Sequence, residues 1–149
     1  MATSAAGVRV AIHEPGTTIF PEEQGFDAAV GTQTAFGMRA NELRRTAMPY
    51  NNEDCRETDK YNKSLYRGKY TWRTCSKGCL QMSLLNSCGC VSDLNLKLDN
   101  VPLCEFTNKT QSMCKSELIG QFHRGQIACD CAQRCDEIYY SGTRRNETI

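Results

Sequence analysis

Cysteine is missing from the first 54 residues of this 149-residue chain, and then occurs ten times between positions 55 and 135. Also missing is any run approaching eighteen consecutive apolar residues, so no segment of this sequence is expected to cross a bilayer as a helix. The opening Met1–Gly7 stretch has neither the charged nor the apolar region of a secretory leader. Histidine occurs only at His13 and His123, neither at ligand spacing, and there is no C-x-x-C pair, which argues against a zinc site. Gly-x-Ser-x-Gly and phosphate-loop motifs are lacking too, and each cysteine is better used in a bridge than as a nucleophile. An enzyme is therefore not expected, nor any cofactor. The net charge is only +1, with the signs interspersed, which excludes a nucleic-acid groove. The acidic pairs Glu22-Glu23 and Glu53-Asp54 could hold calcium or protons, but such pairs are more often solvated loop charge.

What is present is a dense and even cysteine set, the mark of a disulfide framework made in an oxidising compartment. Ten cysteines allow roughly 945 pairings, and geometry narrows them. From Lys69 to Ser87 the residues Trp72, Cys75, Cys79 and Met82 recur at helical spacing, with Thr71 as the expected N-cap. On a helix Cys75 and Cys79 share a face, about 6 Å apart along the axis. Cys129 and Cys131, in an extended segment, share a face about 6.6 Å apart. A helix lying antiparallel to a returning strand would then pair Cys75 with Cys131 and Cys79 with Cys129. The same nesting puts Cys55 with Cys135 outside, and Cys88 with Cys114 and Cys90 with Cys104 inside. Exchange of Cys104 and Cys114 within the inner rungs stays open at this point.

The expected organisation is α+β in three parts: a β-rich segment at 1–50, a cysteine-rich helical segment at 51–135 and a returning strand at 136–149. Val8, Val10 and Ile12 alternate with polar or small residues, a second extended run covers Thr32–Arg39, and Glu137–Tyr140 reads as the last strand. Turn signals lie at Glu14-Pro15-Gly16 and Gln24-Gly25. A second helix is expected from Ser112 to Arg124, opened by a Ser or Thr cap. Three sequons, at Asn62, Asn108 and Asn146, mark candidate glycosylation sites and fit the same compartment. No internal repeat is present.

Several stretches together resemble the palm–thumb part of the extracellular domain of the degenerin/epithelial sodium channel/acid-sensing channel family. They are Gly7–His13, Phe20-Pro21, Gln24-Gly25-Phe26, Gly31–Thr34 and Met48-Pro49-Tyr50. Then come Cys75-x3-Cys79, Cys88-x-Cys90 and, most specifically, Cys129-x-Cys131-x3-Cys135 followed by Tyr139-Tyr140-Ser141. All ten thumb cysteines of that family have a counterpart in order, and the last of them look more like those of invertebrate degenerins. The resemblance implies antiparallel palm strands flanking a disulfide-stapled two-helix thumb, and it implies the same nested pairing. It further implies a homo- or heterotrimeric, amiloride-sensitive, sodium-selective channel in the plasma membrane. In such a channel the extracellular thumb couples ligand or force to gating, Tyr50 stands at the thumb's foot, and sodium is the permeant ion. Neither transmembrane helix, nor the pore filter, nor the finger region is among these residues, so the chain reads as part of a subunit. Lys115–Gly120 carries a single carboxylate, Glu117, out of step with the family's acid-sensing positions, so proton sensing there is not expected. A freestanding secreted disulfide-rich binding protein is the alternative, and the sequences flanking Met1 and Ile149 would separate the two.

Overall fold

A computed structural model describes residues 6–46, 48–50, 54–57, 65–93 and 100–148. Two antiparallel two-stranded sheets frame a helical arm. In chain order the elements are β1 (Gly7–Val10), α1 (Pro21–Gln24), β2 (Phe26–Ala29), β3 (Thr32–Arg44), α2 (Trp72–Cys88), α3 (Lys109–His123) and β4 (Asp136–Thr148). β1 pairs with β2, and β3 with β4 in register from Thr32↔Thr148 to Arg44↔Asp136. The arm is thus inserted between two strands that pair with each other along their whole length, and the fold is α+β.

Both long strands outrun their expected lengths. β3 continues to Arg44 and β4 to Thr148, although neither extension shows an alternating apolar pattern. The reason is burial: on β4 the side chains from Ser141 to Glu147 are all exposed, so backbone pairing alone defines the strand there. Gly142 permits the closest approach, since a Cβ on it would lie 2.1 Å from the Gly37 carbonyl oxygen. The β1–β2 sheet covers part of this ribbon. Phe26 stacks on Phe36 with ring centroids 4.9 Å apart, and Arg144 donates to the Asp27 carbonyl at 2.9 Å.

α2 starts where a reciprocal cap starts it. The Thr71 hydroxyl accepts the Thr74 N–H at 3.1 Å, and the Thr74 hydroxyl accepts the Thr71 N–H at 3.0 Å. It stops at Gly89, whose φ of 69° is the left-handed geometry glycine accepts without strain. Its buried residues are Thr74, Gly78, Leu80, Gln81 and Leu84. The expected stripe is a different one: Trp72 and Met82 stay 43% and 41% exposed, and the cysteines between them face the returning segment. α3 begins earlier than expected, because Asn108, not Ser or Thr, caps it by accepting the Gln111 N–H at 3.2 Å. The small core lies along α2 toward its C-terminal half. Phe20 meets Tyr66 edge-on at 5.3 Å beside Val91, with Leu85 and Val101 against them.

Candidate functional site

The arm is held by five bridges: Cys55–Cys135, Cys75–Cys131, Cys79–Cys129, Cys88–Cys114 and Cys90–Cys104, with Cα separations of 4.9, 5.7, 6.0, 5.8 and 4.9 Å. All lie within the span disulfides adopt without moving the backbone. The returning segment is not fully extended at the middle rungs. The Cys131 N–H donates to the Cys129 carbonyl at 3.0 Å, a three-residue turn that draws the two cysteines closer than two strand steps. That brings their spacing nearer to one helical turn, the spacing of Cys75 and Cys79. Tyr70, 2% exposed, fixes the same segment by donating its hydroxyl to the Ala132 carbonyl at 2.8 Å.

At the innermost end a buried amide joins helix to loop. Gln81 donates to the Ser92 carbonyl at 3.0 Å and accepts the Ser92 N–H at 2.8 Å, so two backbone groups that would otherwise be buried unpaired are satisfied. The loop then pairs Val91 with Leu103, beside the Cys90–Cys104 bridge.

Where the arm meets the sheets, three charges converge. Glu14, 7% exposed, follows β1 in the chain. Arg134, also 7% exposed, reaches both of its carboxylate oxygens, with Nη2 3.3 Å from Oε1. Lys69 Nζ lies 2.9 Å from Oε1. Arg134 adjoins the outermost bridge and Lys69 lies just ahead of α2, so one carboxylate from the sheet side grips both the exit and the entry of the arm. Backbone bonds run alongside, from the Lys69 N–H to the Gly16 carbonyl and from the Cys135 N–H to the Arg56 carbonyl. The Arg134 hydrogen bond, working against burial and aided by Lys69, lowers the Glu14 pKa from 4.5 to about 2. Arg45 adds a second tie by donating to the Arg134 carbonyl at 2.7 Å and to Glu137 at 2.9 Å. The sequence offered only a turn at Glu14-Pro15-Gly16; partners 55 and 120 residues away leave no local signal.

The remaining residues singled out in the sequence are scattered. Tyr50 is 85% exposed, next to an exposed Met48. Asn108 caps α3, Asn146 lies exposed on β4 opposite Thr34, and Asn62 lies outside the described residues. Glu117 forms an exposed pair with Arg124 at 3.5 Å. Glu23, from the acidic run 22–23, ties to Arg73 and Lys77 on α2; Glu53 lies outside the described residues and Asp54 within them. Among the described residues no group of histidine, cysteine or carboxylate side chains could hold a metal ion, and no helix is long and apolar enough to cross a membrane.

Comparison with known proteins places these features in a family. The family model described as amiloride-sensitive sodium channel matches residues 1–148. Degenerin mec-10 of Caenorhabditis elegans is 30% identical over 151 aligned residues, covering 99% of this chain and 20% of that protein. Degenerin unc-8 of the same nematode is 32% identical, covering 91% of this chain and 18% of that protein. Epithelial sodium channel subunit gamma-2 of Xenopus laevis is 26% identical, covering 95% and 22%. The chain thus spans about a fifth of the length of these relatives.

Proposed function

Because the chain belongs to the amiloride-sensitive sodium channel family, a class of channels and not of enzymes, we propose that it forms the palm–thumb region of the extracellular domain of a sodium-selective, amiloride-sensitive subunit. The subunit assembles with like or related subunits as a trimer in the plasma membrane. The boundaries 1–50, 51–135 and 136–149 divide it into palm, thumb and returning palm strand. The observation that carries the reading is the arm itself: a two-helix unit braced by five bridges and gripped at its base by Glu14, Arg134 and Lys69. A body braced in this way moves as one piece, so a ligand or force acting on it is delivered at its base. Tyr50 is the contact proposed to pass that displacement toward the membrane; its 85% exposure leaves its surface free for a neighbouring segment. Asn62, Asn108 and Asn146 are proposed to carry glycans on the outer side.

The transcript around these residues gives the first test. Apolar runs of about twenty residues on both sides are expected; a leader upstream with a stop after Ile149 would instead make this a secreted binding protein. Expressed by itself in oocytes, the chain is expected to carry no amiloride-sensitive current. In the complete subunit, Tyr50→Ala is expected to impair gating at normal surface density with all bridges formed. Normal gating in that variant would remove Tyr50 from the coupling path.

A further inference from the structure

A cleft of about 540 Å³ opens between the loop after β1, the first turn of α2 and the start of β4. That volume is in the range of sites that take small organic molecules. Among the described residues four charged side chains stand in its wall: Glu14, Arg73, Arg134 and Glu137. Each already has a partner of opposite sign, Glu14 with Arg134 and Lys69, Glu137 with Arg45, and Arg73 with Glu23. A charged guest gains little here, because drawing one member out of a pair leaves the other uncompensated.

What the wall offers without that cost is neutral. Trp72 and Tyr139 line the cleft and keep 43% and 48% of their surface exposed. Gln24 uses its Oε1 on the Phe20 N–H, and the side-chain amide of Gln133 has no protein partner among the described residues. Aromatic side chains that share a cleft with a carboxamide suit a flat ring that itself bears an uncharged amide. The ring stacks, and the two amides exchange donor and acceptor.

We propose that this cleft binds uncharged aromatic carboxamides, with Trp72 and Tyr139 against the ring and Gln133 bonded to the amide. The proposal does not depend on the channel reading. Trp72 is the only tryptophan in the chain, so its emission reports occupancy. The intact, disulfide-bonded chain is titrated with benzamide, benzamidinium and benzoate, which are alike in shape and differ in charge. Benzamide is expected to give a saturable change, with the two ions weaker by about ten-fold or more. Gln133→Ala and Tyr139→Ala, each with unchanged far-ultraviolet circular dichroism, are expected to weaken benzamide binding by roughly five- to ten-fold. Non-saturating quenching, equal binding of the three probes, or unchanged benzamide affinity in either variant would overturn the proposal. Where a variant fails to fold, the three-probe series on the unaltered chain decides.

Discussion

The helical arm and the β3–β4 ribbon belong to one chain yet are held by opposite means. The arm has five covalent bridges and wholly buried side chains such as Leu84, Gln81 and Tyr70. The ribbon has thirteen paired positions on each strand and almost no buried side chain. The arm therefore carries its shape within itself. The ribbon takes its shape from main-chain pairing, with the Phe26–Phe36 stack and the Arg144 contact as its ties to β1–β2.

The largest effect that follows is on the arm. Bridges contribute about 2–4 kcal/mol each, so losing five removes about 10–20 kcal/mol, as much as the 5–15 kcal/mol by which a whole domain is usually stable. Reduction with thiol blocking is expected to abolish the α2 and α3 helical signal in circular dichroism; retained helicity would erase the contrast between arm and ribbon. Next comes the grip at the arm's base. Glu14→Gln is expected to cost about 1–3 kcal/mol in denaturant unfolding, since it removes the buried carboxylate charge that Arg134 and Lys69 both face. The depressed Glu14 pKa gives this contribution a pH window. It is fully present above 4.5 and is lost as pH falls toward about 2, so acid unfolding should steepen over that range in the parent chain and not in Glu14→Gln.

Much of the arm was legible in sequence because cysteine spacing is a long-range signal written locally. The interval between Cys75 and Cys79 states a helical face, and Thr71 states its start. The ribbon was legible only in part, since Ser141–Glu147 meets nothing that would select apolar residues. The start of α3 lies ahead of Ser112 because its cap is Asn108, and asparagine, also the first residue of a sequon, caps as well as serine. The Glu14–Arg134 pair was out of reach for another reason: complementary charges so far apart in sequence are indistinguishable from ordinary surface charge until the fold brings them together.

Smaller effects sharpen the contrast within the ribbon. Gly142→Ala is expected to cost roughly 1–3 kcal/mol, because the added carbon meets the Gly37 carbonyl, and faster amide exchange around Gly37–Met38 would register it. Arg145→Ala is expected to stay within about 0.5 kcal/mol of the parent in thermal melts, because its pair with Glu147 is exposed. A large loss there would mean that the ribbon draws stability from its side chains after all.

The bridges close loops of 14, 26, 50, 56 and 80 residues, each wholly inside the next. Loops that contain one another can close without threading, and closing one shortens the search for its neighbour. Once Cys88 and Cys114 are joined, the path from Cys79 to Cys129 falls from 50 residues to about half of that, with a correspondingly smaller entropy of closure. The thiols synthesised last, Cys129, Cys131 and Cys135, then meet partners that the inner rungs have already set in order. Oxidation of this arm can proceed as a zip from the inside out, with each tooth selecting the next.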